Sequence, residues 1–140
     1  MLVWGVAWAT LLSAVVATRQ APAPPAGGTA ATPAATALQA PDAFETRIRP
    51  LLAANCYACH GEAAMGGLRL DTREGFFKGS DAGAIVEPGK PESSSLVKVL
   101  QHAAGYPAMP KGRAKLSPGD IDLVVEWVRL GAAWPALLRA

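Results

Sequence analysis

Two thiols and an imidazole stand together in Cys56-Tyr57-Ala58-Cys59-His60. The two cysteines are the only ones in the chain. They are too close in sequence for an ordinary loop-closing disulfide. Sulfurs one helical turn apart can instead reach the two vinyl groups of one porphyrin and form thioethers, and the imidazole that follows then projects at the iron from one face. C-x-x-C-H is the attachment signature of a c-type haem, with the histidine as proximal ligand. The competing uses of such a pair are poorly supplied. A zinc site needs two more ligands, and His102 is the only other histidine. A thioredoxin-like redox pair belongs to a βαβ context, which this sequence lacks.

The second axial donor decides the class of site. Besides Met1, the candidates are Met65, Met109 and His102. Met65 follows His60 closely and is expected to stay on the proximal side, in a loop or in the core. Met109 sits in Tyr106-Pro107-Ala108-Met109-Pro110-Lys111-Gly112. Flanking prolines stiffen a loop and hold a thioether at fixed reach, so Met109 is the expected distal ligand. His102 ends a helix; it is the alternative ligand, or else caps that helix or bonds a carbonyl. An open or water-bound sixth position is the remaining option. A His/Met pair raises the reduction potential relative to two histidines. Arg69, Lys111, Arg113 and Lys115 are candidates to pair with haem propionates or face a partner, and otherwise form a solvated basic surface.

The elements that must position these groups are helical. Phe44, Ile48, Leu51 and Leu52 recur at helical spacing, with Asp42 available as a cap. Pro50 falls inside this pattern and is expected to kink or divide the helix before it runs into the Cys-His motif. Gly61 permits a sharp exit. Leu68 and Leu70 alternate as in a short extended piece, and Asp71 is placed to cap a short helix carrying Phe76 and Phe77 inward. Residues 79–91 read as loop. Ser93 to His102 has Leu96, Val97 and Leu100 on one face. Ser117-Pro118-Gly119-Asp120 is a strong helix start. Ile121, Val124, Val125 and Val128 make that helix's stripe, Trp127 lies at its edge, and Gly131 ends it. Trp127, Phe76 and Phe77 are expected in the core in preference to a redox role. Tyr57 is expected to point away from the iron and to be partly exposed. The fold class is all-α, with three to four helices and long loops.

The 140 residues exceed what this pattern uses. Leu2 to Val16 is apolar but shorter than the roughly 20 residues that span a bilayer. It reads as a secretory signal over residues 1–17 cleaved after Ala17, although no Lys or Arg precedes it; an uncleaved anchor is the alternative. Residues 18–41 are rich in Ala and Pro, cannot build a core, and are expected to form an extended, mobile tether. The domain is expected over 42–140. A net charge of +2, from 13 basic and 11 acidic residues, argues against a nucleic-acid partner.

Beyond the pentapeptide, several stretches together resemble the planctomycete-type cytochrome c domain. They are Phe44…Ile48-Arg49-Pro50-Leu51-Leu52 leading into Cys56–Gly61, then Gly67-Leu68-Arg69-Leu70-Asp71, Glu87-Pro88-Gly89-Lys90-Pro91-Glu92-Ser93-Ser94-Ser95-Leu96 and Met109-Pro110-Lys111. The closing Leu116-Ser117-Pro118…Ile121…Trp127-Val128…Gly131-Ala132…Trp134-Pro135 fits as well. The resemblance runs from Asp42 to Pro135. It implies a class I cytochrome c-like fold around one haem c, thioethers at Cys56 and Cys59, His60 proximal and Met109 distal. In that family the domain often leads a longer chain, whereas this sequence stops at Ala140, so no fused catalytic part is expected.

The expected function is that of an exported, periplasmic monohaem electron carrier serving unidentified redox proteins, possible tethering to the membrane through residues 1–17 included. A haem-based ligand sensor, or an accessory electron-entry subunit of a dehydrogenase, is the alternative. No nucleophile–base pair or substrate pocket is evident, so the chain is not expected to be an enzyme.

Overall fold

The computed structural model describes residues 32–135. The expected signal and most of the expected tether lie outside them, as do residues 136–140. Among the described residues the chain is all-α: six α-helices, a π-helical turn and short 3-10 turns, with no strand beyond one isolated bridge between Ser80 and Gly83. None of these helices is long and apolar enough to cross a membrane.

Helix α1 (Pro33–Ala37) lies where an extended tether was expected. The reason is local. Thr32 caps it by accepting from the Ala35 amide, Pro33 occupies the first turn, where its missing N–H costs nothing, and alanine is the best helix former. Leu38, just beyond, packs against the core.

The helix expected from Asp42 is divided, as Pro50 requires. Phe44–Ile48 is a π-helical turn closed by the Arg49 amide on the Phe44 carbonyl, and α2 (Arg49–Asn55) carries the proline in its first turn. Asp42 does not cap with its side chain. Its carbonyl accepts from the Thr46 amide and hydroxyl, both at 3.0 Å. Helix α3 (Tyr57–His60) is one turn holding the motif. It ends at Gly61, where a Cβ would stand 2.6 Å from the Tyr57 carbonyl oxygen, so only glycine fits.

Helix α4 (Arg73–Lys78) corrects two expectations. Its cap is Thr72, accepting from the Gly75 amide, because Asp71 is engaged by Arg69 at 2.6 and 3.0 Å. Phe76 is buried, but Phe77 is 41 % exposed. One turn and a half of helix cannot turn two adjacent side chains to the same interior. Helix α5 (Ser95–Gln101) buries Leu96, Val97 and Leu100. Helix α6 (Pro118–Arg129) starts as its sequence demands, with Ser117 Oγ accepting from the Asp120 amide and donating to its carboxylate. Gly131 follows its C-cap with φ +101°.

The core lies where the first and last segments meet. Phe44, Phe76, Trp127 and Trp134 interlock, with centroid separations of 4.4 Å for Phe44–Trp134 and 5.2 Å from Phe76 to each tryptophan. Trp127 is buried, not at the helix edge, and its indole N–H donates to the Ala133 carbonyl at 2.9 Å. Ile48, Leu52, Val124 and Val128 fill the space around this cluster. Each such side chain contributes on the order of 1.5–3 kcal/mol by leaving water.

Candidate functional site

At the other end of the fold, an apolar cavity of about 460 Å³ opens between the motif and α5. Cys56, His60 and Met109 line it, together with Leu68, Leu70, Ile85, Leu96, Val99 and Leu100. Met65, Tyr106 and Pro107 line it too. Cys59 is exposed and is not part of the lining. The structure thus brings sequence-predicted site residues from two separate segments, Cys56 and His60 of the motif and Met109, to one cavity.

Each wall is held by its own device. His60 closes α3, and its Nδ1 lies 3.0 Å from the Met65 carbonyl oxygen. A carbonyl only accepts, so Nδ1 carries the proton and Nε2 is left with its lone pair free. This is how a ligating imidazole is usually oriented. The Met65 backbone therefore has a role that sequence reasoning missed, while its side chain is 56 % exposed. No residue type betrays a carbonyl acceptor. The turn of Gly66 and Gly67 (φ +67° and +69°) was the available signal.

The Leu70 amide donates to the His60 carbonyl at 2.6 Å, which brings Leu68 and Leu70 against the motif. Ser94, fully buried, donates to the Lys90 carbonyl and accepts from the Glu87 amide, both at 2.9 Å. With the Leu96 amide on the Ile85 carbonyl at 3.0 Å, these bonds fasten the 79–91 loop so that Ile85 reaches the cavity.

Met109 is held by α5. Its amide donates to the Val99 carbonyl at 3.0 Å. His102 does not line the cavity; its Nε2 lies 3.0 Å from the Met109 carbonyl. None of Arg69, Lys111, Arg113 and Lys115 lines it either. Arg113 donates to the Ala54 carbonyl at 3.0 Å, tying the loop after Met109 to the end of α2. Lys115 donates to the Gln101 carbonyl at 2.7 Å.

Burial pushes the Cys56 thiol up to about 11, against the pull of the Arg113 guanidinium. Burial likewise raises the Tyr57 phenol, with Arg49 acting in the other direction. Tyr57 is half-buried, points outside the cavity and packs against the core, and its hydroxyl finds no hydrogen-bond partner among the described residues. Among those residues no three of His, Cys, Asp and Glu gather around one point. The donors available at the cavity are thiol sulfur, imidazole nitrogen and thioether sulfur, set in apolar walls. That set fits a large apolar macrocycle whose metal takes soft and imidazole ligands.

Helices that frame an apolar cavity with C-x-x-C-H at its edge suit a cytochrome c-type domain, a class whose role is haem electron transfer. Residues 56–112 match the family described as Planctomycete cytochrome C, which supports a planctomycete-type cytochrome c domain over that stretch. The matched stretch opens on Cys56 and closes just past Met109, so it takes in the whole candidate site. No curated protein and no solved structure matches the chain.

Proposed function

We propose that this protein is a monohaem electron carrier of the class I cytochrome c type, with haem c attached through Cys56 and Cys59 and ligated by His60 and Met109. The observation that carries the reading is the cavity itself, in which Cys56, His60 and Met109 share one apolar lining. The bound haem supplies one-electron iron chemistry. The chain's own part is to anchor, ligate and keep water away. His60, oriented by the Met65 carbonyl, presents Nε2. Leu68, Leu70, Leu96 and Leu100 exclude solvent. Met109 offers a thioether from a loop held through both its amide and its carbonyl.

A closed six-coordinate site leaves no position for substrate, so the protein is read as a carrier and not an enzyme. The sensor alternative needs a displaceable sixth ligand, and the two backbone bonds that hold Met109 argue against it. The apolar run at Leu2–Val16 supports an exported, periplasmic location, with membrane tethering if that run is retained. The partners are then other redox proteins.

The test is spectroscopic. Haem-loaded protein is expected to keep its porphyrin in acid acetone and to show the weak near-infrared charge-transfer band of Fe–S(Met) ligation when oxidised. Reduced protein is expected to resist CO. Met109→Ala is expected to abolish the band and admit CO rapidly. Porphyrin released into the solvent, or a band that survives Met109→Ala, would overturn the reading.

A further inference from the structure

We infer that His102 is a positioning residue for Met109, holding the distal loop at the reach its thioether needs; the inference rests on Met109 being the distal ligand.

His102 caps α5 in the left-handed region, at φ 57° and ψ 42°. Its amide returns to the Val99 carbonyl at 3.3 Å, and the Ala103 amide to the Lys98 carbonyl at 3.0 Å. This is a helix ending that glycine fills best, because a Cβ is strained there. A histidine at such a position costs backbone energy relative to glycine.

The side chain has a definite partner. His102 Nε2 lies 3.0 Å from the Met109 carbonyl oxygen, which can only accept, so Nε2–H is the donor. The Met109 amide is bonded to the Val99 carbonyl in the same last turn of α5. Both polar atoms of residue 109 are therefore tied to one helix end, one by backbone and one by the imidazole. What remains free at Met109 is its side-chain torsions. A third link, Lys98 Nζ to the Tyr106 hydroxyl at 3.1 Å, closes the same loop on the outer side. The imidazole is exposed and outside the cavity, so it acts through Met109 and not on the haem itself.

Helix-end strain and ligand positioning pull in opposite directions at this residue, and His102→Gly separates them. In the haem-loaded protein, His102→Gly is expected to keep or raise the thermal midpoint. It is also expected to weaken the near-infrared band and to speed CO association with the reduced form by about tenfold, the factor set by one hydrogen bond of ordinary net strength. His102→Gln, whose amide nitrogen reaches about as far as Nε2, is expected to restore the band. A full band and an unchanged CO rate in His102→Gly would overturn the inference. So would a loss of band that merely tracks a fall in thermal midpoint. If the unaltered protein lacks the band, the ligand assignment itself fails and the positioning role goes with it.

Discussion

Adjacent phenylalanines offer a sharp test of how the helical end of this domain is built. Phe76 is 1 % exposed and stands 5.2 Å from both Trp127 and Trp134, whereas Phe77 is 41 % exposed. Phe77 touches Phe76 edge-on at 5.1 Å and carries the Arg73 guanidinium 5.2 Å from its centroid. Truncating a fully buried phenylalanine to alanine costs about 3–5 kcal/mol in lost transfer energy and residual cavity. Each aromatic pair broken adds about 0.5–1.5 kcal/mol beyond area. Phe76→Ala is therefore expected near the upper end, at roughly 4–5 kcal/mol, a large part of a domain's 5–15 kcal/mol. For a domain of this length each kcal/mol moves the midpoint by about 4–8 °C, so a fall of 16 °C or more is expected. Phe77→Ala loses one edge contact and an exposed cation–π contact, and is expected to cost about 1 kcal/mol. Neither residue lines the cavity, so the near-infrared band should be the same in both variants at temperatures where they are folded. Thermal unfolding followed by far-UV circular dichroism measures the difference. Equal losses for the two variants would refute the assigned phase of α4, and a Phe76→Ala loss under about 1 kcal/mol would refute the aromatic cluster as the source of stability.

Two further outcomes follow from the same geometry. Gly67 has φ +69°, and a Cβ there would fall on the Asp81 carboxyl, 2.7 Å from Cγ and 3.2 Å from the Asp81 amide nitrogen; Gly83 (φ +106°) has nothing within 4 Å. Gly67→Ala is expected to lower the thermal midpoint more than Gly83→Ala, and to disturb the His60 ring through the Met65 carbonyl; equal costs would refute the clash. In haem-free, reduced protein the Cys56 thiol is raised by burial to about 11 from its ordinary 9.0. The unfolded chain then loses this proton first, so stability is present below pH 9 and falls as pH rises toward 11, by up to about 2.7 kcal/mol. Urea unfolding at stepped pH checks this, and the effect should vanish once the sulfur is a thioether.

What the sequence makes legible is what is local along the chain. Cys56, Cys59 and His60 fall within five residues, Ser117 and Asp120 sit within one turn, and Pro50 marks where the helix changes from π- to α-helical bonding. The misreadings share a cause. Asp71 is as good a cap as Thr72 until Arg69 claims it, and Phe77 reads as a core partner of Phe76 until the phase of α4 turns it outward. Thr32-Pro33 turns an Ala/Pro tract into a short helix with its own cap. The site's supports were the least legible, because most are backbone atoms: the carbonyls of Met65, Val99, Met109 and Ala54 accept bonds that no residue type advertises.

That difference bears on function. Among the described residues only α6 reaches three turns; α2, α3, α4 and α5 have four to seven residues each, too short to persist alone in water. The aromatic cluster fixes them at one end of the domain. Around the cavity, Leu70 and Ile85 join the same core, and the bonds of Ser94, His102 and Arg113 tie the loops to the helices. An electron carrier works best when its ligands move little between oxidation states, so these bonds serve the proposed function directly. Under the proposed function, attachment through Cys56 and Cys59 would hold the motif side of the site even where the chain moves. The Met109 side would have no such anchor, and there the loop is tied to α5 by the Met109 amide on the Val99 carbonyl, His102 on the Met109 carbonyl and Lys98 on the Tyr106 hydroxyl.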